Sequence, residues 1–173
     1  MAKELLMITS IEHFKKSWQK ESENTRKIMA QLTDDAINKN LVEGHRSLGR
    51  LAWHIAQTIP EMLGQTGLKP EGPESKAAVP DTAEEIKKAY DLAASSLLKQ
   101  VTRKWNDESL QVEDDLYGEK WSRGMTLRIL IDHEIHHRGQ MTVLMRLAGL
   151  KVPGLYGPSK EEWSQYGMKE PEI

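Results

Sequence analysis

Apolar residues recur at three- and four-residue intervals through most of the chain, the pattern of helices that bury one face. Ile11, Phe14, Trp18, Thr25, Ile28 and Leu32 form the first stripe, interrupted by polar Glu21. Thr9, followed three residues later by Glu12, resembles a capping box and predicts a helix over about 10–31. A turn-rich segment from Thr33 to Gly44 leads to a second helix over about 47–64, with Leu48, Leu51, Ile55, Ile59 and Met62 as its stripe. Pro60 is expected to kink or shorten it.

Gly67, Pro70, Gly72 and Pro73 mark a long connection. Asp81 with Glu84 predicts the cap of a third helix carrying Ile86, Tyr90, Ala93, Leu97, Val101 and Trp105. An irregular acidic stretch follows, from Asp107 to Asp115. The fourth helix is expected from about Met125 to Ala148, ending at Gly149 with Pro153 beyond. A short last helix, Lys160 to Tyr166, has Ser159 as its expected cap. Four long amphipathic helices with long second and third connections predict an all-α four-helix bundle. No internal repeat or boundary divides the chain, and the Pro/Gly stretch at 67–73 comes too early to separate two cores. A single helical-bundle domain over 1–173 is expected.

Composition narrows the chemistry. The net charge is -2 with a pI near 6.3, and charges of both signs are interspersed. This leaves no electrostatic footprint for nucleic acid or an anionic membrane. No apolar stretch approaches the roughly 20 residues of a bilayer span. Met1-Ala2-Lys3-Glu4 does not open a signal-peptide pattern, so a cytoplasmic protein is expected. With no cysteine, disulfides, a cysteine nucleophile and thiolate ligands are excluded together. Any metal must rest on nitrogen and oxygen.

The candidate chemistry centres on His133-Glu134-Ile135-His136-His137. At about 100° per residue, His133 and His137 share a helical face with Leu130, Met141 and Leu144. Two neighbouring inward imidazoles need partners, either a shared metal ion or hydrogen-bonding oxygens. His136 falls on a separate arc. His54, beside Leu51 and Thr58 at the edge of the second helix's stripe, is the natural third ligand candidate. Three neutral imidazoles from two helices leave open coordination positions, as catalytic zinc sites do. Gln140 shares the inward arc, as a holder of water or substrate or as a buried amide bonded to backbone. His13 and His45 lack comparable spacing.

His133-Glu134-x-x-His137 also satisfies the short HExxH pattern of zinc peptidases, with Glu134 as base and Glu161 or Glu162 as third ligand. Glu134 lies about 60–100° round the helix from both histidines. Few strand signals accompany it, and the extended metzincin pattern fails at Gly139. Glu21 and Glu134 are candidate bases if water is the nucleophile; the simpler expectation for each is a solvated charge. Arg138 is expected in a surface or interhelical salt bridge. Trp18, Trp53 and Trp105 are expected as core or dimer-contact residues, while Trp121 and Trp163 are candidates to wall a pocket mouth.

His133-x-x-His136-His137-Arg138-Gly139-Gln140, followed by Arg146-Leu147-Ala148-Gly149 and Pro153, resembles the last helix of the DinB/YfiT-like metalloprotein family. Arg46-Ser47-Leu48-Gly49 through Trp53-His54-Ile55 is similar to that family's second helix. The resemblance implies a four-helix bundle, often dimeric, with a divalent ion on His54, His133 and His137. Zinc and nickel are the leading candidates for the ion, with iron and manganese as further options. It also implies activity of a thiol-dependent transferase or metal-dependent hydrolase type. The expected function is therefore a metal-dependent enzyme that activates a low-molecular-weight thiol or water toward a small-molecule substrate. The alternative is a metal-containing stress-response or ligand-binding module without turnover.

Overall fold

A computed structural model describes residues 7–172. In chain order its helices are α1 (Ile11–Met29), α2 (Asp34–Ile37), α3 (Leu48–Gly64), α4 (Ala83–Lys104) and α5 (Arg123–Leu147). The four long ones match the four stripes. α1 and α3 each pack against both α4 and α5, which closes a four-membered ring of helices around one apolar core. Phe14, Trp18, Leu48, Ile59, Ile86 and Leu127 are fully or almost fully buried within it. Among the described residues the fold is all-α, as the periodicity predicts, with one added hairpin. Among the described residues no helix is long and apolar enough to cross a membrane.

Two helix starts fall one residue later than the capping patterns suggest. Ser10, not Thr9, caps α1, its hydroxyl accepting the His13 N–H at 3.1 Å. Thr82, not Asp81, caps α4 by accepting the Glu85 N–H at 3.3 Å. The Thr82 hydroxyl in turn donates to the Glu85 carboxylate at 2.6 Å. In each case the cap is the last residue with extended backbone whose oxygen reaches the exposed amide of the first turn. Ser47 caps α3, its hydroxyl accepting the Arg50 N–H at 3.1 Å. Pro60 lies inside α3, which runs on through it to Gly64 rather than being shortened there.

Several short elements lie outside the four long helices. α2 is a single turn capped by Thr33. The acidic stretch ends in an antiparallel hairpin, β1 (Glu113–Leu116) against β2 (Glu119–Ser122). Its turn residues, Tyr117 at φ 54° and Gly118 at φ 84°, both adopt the left-handed conformation that a two-residue hairpin turn requires. Arg123, the first residue of α5, reaches back to Asp114 with a 2.9 Å bond and fixes the hairpin to the helix. The expected helix at 160–166 is reduced to a 3₁₀ turn at Trp163–Tyr166. Ser159 does not cap it; its N–H is bound by the Glu162 carboxylate, which also holds the Gly154 N–H.

The backbone at Ile8 lies directly on the first turn of α5, donating to the Gly124 carbonyl at 3.2 Å. A Cβ at Gly124 would meet the Ile8 carbonyl oxygen at 2.3 Å, a clash with main chain. Gly124→Ala is therefore expected to destabilise the fold by about 1–3 kcal/mol, read as a lower urea midpoint.

Candidate metal centre

α3 and α5 pack side by side, and that contact brings His54 of α3 against His133 and His137 of α5. The His133 Nε2 lies 3.2 Å from His54 Nε2 and 3.1 Å from His137 Nε2. One ligand nitrogen from each of the three falls within 4.8 Å of the others. The His137 Nδ1 is 2.8 Å from the Gln140 amide oxygen. That bond keeps the proton on Nδ1 and leaves the Nε2 lone pair facing the other rings. A hydroxyl bond from Thr58 to the His54 carbonyl, at 2.8 Å, braces α3 at the same level.

All three imidazoles are held neutral. Burial is the main cause for each. For His54 the His137 ring and the cations Arg46 and Arg50 add to it, and its pKa falls from 6.5 to about 4. His133 also falls to about 4, with His137, His54, His136 and Arg46 contributing. His137 is lowered too, although its bond to Gln140 opposes the shift. Three nitrogen lone pairs converging within hydrogen-bond distance repel one another unless a proton or a cation stands between them. With protonation disfavoured by burial, a divalent cation is the partner that fits this donor set.

The next residues round α5 face away from the histidines into a second buried polar group. Glu134, 1% exposed, accepts hydrogen bonds from Thr25 at 2.5 Å and Tyr90 at 2.7 Å. Arg138, also 1% exposed, donates to the Glu21 carbonyl at 2.9 Å and the Thr25 hydroxyl at 3.0 Å. It pairs with the Glu21 carboxylate, which also accepts the Tyr156 hydroxyl at 2.5 Å. Burial raises the Glu134 carboxyl above its usual range against the hydrogen bonds from Thr25 and Tyr90. Burial also pushes Glu21 upward, but bonds from Tyr156 and Arg138 and the guanidinium charge outweigh it and hold Glu21 low.

These positions correct several expectations. Glu21 and Glu134 are not solvated charges, and neither joins the three-histidine group. Arg138 makes the interhelical salt bridge expected of it, but fully buried. The HExxH arrangement is not formed, because Glu134 points into the α1–α4 side of the bundle. Glu161 pairs with Arg146, and Glu162 binds the backbone of Gly154 and Ser159. Gln140 is exposed and serves His137 rather than backbone. His136 is exposed, its ring edge-on to His137 with centroids 5.0 Å apart. His13 and His45 are exposed and apart from the group. Trp18 and Trp53 donate to the carbonyls of Ala94 and Ala77 as buried residues, and Trp105 lies under Arg123. Neither Trp121 nor Trp163 lines the cavity beside the histidines. Sequence reasoning quoted Arg46 only within the second-helix motif and did not single it out as a site residue, although it is a cation just ahead of the α3 cap.

A sequence model of the DinB family matches residues 7–172. The protein YrdA of Bacillus subtilis (strain 168) is 38% identical over 167 residues, spanning 96% of this chain and 100% of its own. The chain belongs to the DinB family. A crystal structure of a DinB-like protein from Bacillus cereus ATCC 10987, 42% identical, superposes with a TM-score of 0.83 over 87% of this chain and 100% of that one. The DinB-like protein YjoA of Bacillus subtilis, 22% identical, shares the fold with a TM-score of 0.62 over 79% of this chain and 92% of its own. In this DinB-family protein the three histidines singled out from the sequence are the three that the bundle brings together.

Two outcomes follow for stability. Arg138→Met leaves Glu21 and Glu134 buried without their cation and is expected to cost about 3–5 kcal/mol, measured by urea unfolding. In the presence of chelator, the unfolded chain protonates its histidines near pH 6.5 but the folded chain does so only near 4. The unfolded state therefore binds more protons across that window, and stability falls as pH drops from about 6.5 to about 4. His133→Asn should flatten this slope in thermal unfolding at stepped pH.

Proposed function

We propose that His54, His133 and His137 hold a divalent metal ion and that the protein is a metal-dependent enzyme of the thiol S-transferase type. The observation that carries this reading is the convergence of three neutral imidazole nitrogens on one point, with the tautomer of His137 set by Gln140. Three ligands from two helices leave the remaining coordination positions for a reacting molecule. A divalent ion held there supplies Lewis acidity, which ionises a thiol or water at neutral pH.

The chain's own residues favour the thiol. A hydrolase needs a base near the attacking water. The two carboxylates on helices flanking the site, Glu21 and Glu134, are both committed to the buried network with Arg138, Thr25 and the tyrosines. A thiol starts from a pKa near 8.5 and loses its proton with far less assistance than water does. With no cysteine in the chain, no protein thiol competes for the ion. Gln140 holds one ligand in orientation, and Arg46 adds positive charge that favours an anionic nucleophile beside the histidines. Imidazole donors suit zinc, nickel and iron alike, so the ion carried in the cell depends also on supply.

Elemental mass spectrometry of the purified protein is expected to find about one divalent ion per chain. His54→Ala, His133→Ala and His137→Ala should each lower that content at least tenfold while helicity by circular dichroism is retained. Turnover of a low-molecular-weight thiol with an organic electrophile should disappear on chelation and return with metal. Metal binding without any such turnover would instead favour a ligand-binding or stress-response module.

A further inference from the structure

A cavity of about 530 Å³ opens beside the three-histidine group, between the loop ahead of α3 and the last turns of α5. His137 forms part of its wall, so the cavity adjoins the proposed metal centre at that one ligand. Val42, Leu51, Val143 and Leu147 line the apolar side. Val143 and Leu147 are 61% and 58% exposed, large apolar side chains held open to solvent on this face. The polar end is made by Arg46, His137 and Gln140.

Two groups at that end have unused hydrogen-bonding capacity. Arg46 is exposed and makes no salt bridge or hydrogen bond among the described residues, in contrast to Arg26, Arg123, Arg138 and Arg146, each paired with a carboxylate. Arg46 lines the cavity on the same side as His137 and Gln140. Gln140 spends its amide oxygen on His137, leaving its NH₂ group to donate. An unpaired guanidinium and an amide donor next to an apolar wall match one class of ligand. A carboxylate pairs with the guanidinium fork, and a hydrocarbon body covers the exposed valine and leucine.

We propose that this cavity is the substrate pocket of the site and that it takes a small organic anion with an apolar body. Arg46 binds the anionic group and the Val42–Leu51–Val143–Leu147 wall holds the body alongside His137. The proposal rests on the metal-centre reading for the word substrate, but the pocket itself is formed by residues that are not metal ligands. The volume lies within the range of small-molecule sites, and the charge at its mouth selects an anion over a neutral molecule of the same length.

Octanoate and 1-octanol serve as probes of matched chain length. Their binding is followed by amide chemical shifts and calorimetry, with the protein metal-loaded and again in chelator. Octanoate is expected to bind at one site per chain in both states, shifting residues around 42–51 and 137–147, and at least tenfold more tightly than octanol. Arg46→Gln should bring octanoate to the level of octanol, while Arg46→Lys retains part of the preference. Val143→Asp should abolish octanoate binding, and Leu92→Asp, on the exposed face of α4, should leave it unchanged. Equal binding of the two probes, or an Arg46→Gln variant with unaltered affinity, would overturn the proposal. So would octanoate binding seen only in the metal-loaded state, since the carboxylate would then sit on the ion. A face covered by a second copy of the chain would show no binding of either probe, which also overturns it. The chelator arm needs no metal, so a failed metal assay and a failed pocket assay are separate results.

Discussion

α5 carries two polar groups on adjacent faces, and its position in the bundle is set by the one that contains Arg138. A guanidinium removed from water demands full pairing, and Arg138 finds it only where Glu21 and Thr25 of α1 approach. Glu134, one turn earlier on the same face, is held by Thr25 and by Tyr90 of α4. These bonds fix both the rotation and the height of α5. His133 and His137 each precede a network residue by one position, about 100° away round the helix. Locking Glu134 and Arg138 therefore aims the two histidines at α3, where His54 stands. Rotating α5 by a single residue would separate the imidazoles and leave a charge buried without a partner.

Much of this was legible in the sequence. The spacing of the apolar stripes locates four long helices, and the i, i+4 pair His133/His137 with the edge residue His54 identifies the cluster. The polar interruption at Glu21 was visible as an anomaly, but its partner lies more than a hundred residues along the chain. Local pattern holds no information about such a pairing. The hairpin was hidden because its turn uses Tyr117-Gly118 rather than an asparagine–glycine pair, and its first strand is acidic. Arg46 stood in the sequence only as part of the second-helix motif, because its lack of a partner among the described residues is a property that only three-dimensional placement reveals.

The two polar groups divide the work of the helix. One is paired largely by the protein's own side chains, with only the second Glu134 oxygen left without a hydrogen bond, and contributes to a unique arrangement of the bundle. The other gathers donors that the protein does not satisfy by itself, next to a cation and an apolar wall that are also left open. Unfulfilled capacity gathered in one place beside an apolar wall is what distinguishes a binding site from a merely polar surface.

The segment after α5 takes on a different meaning in this light. Tyr156 is 61% exposed, yet its hydroxyl closes the pairing of Glu21 and also accepts a bond from Arg138. Arg146–Glu161 and the Glu162 bonds to Gly154 and Ser159 hold that segment in place. What reads as a tail supplies a hydroxyl to the buried pair that joins α1 to α5. A domain boundary drawn at the end of α5 would cut away a hydrogen-bonding partner of that interior pair.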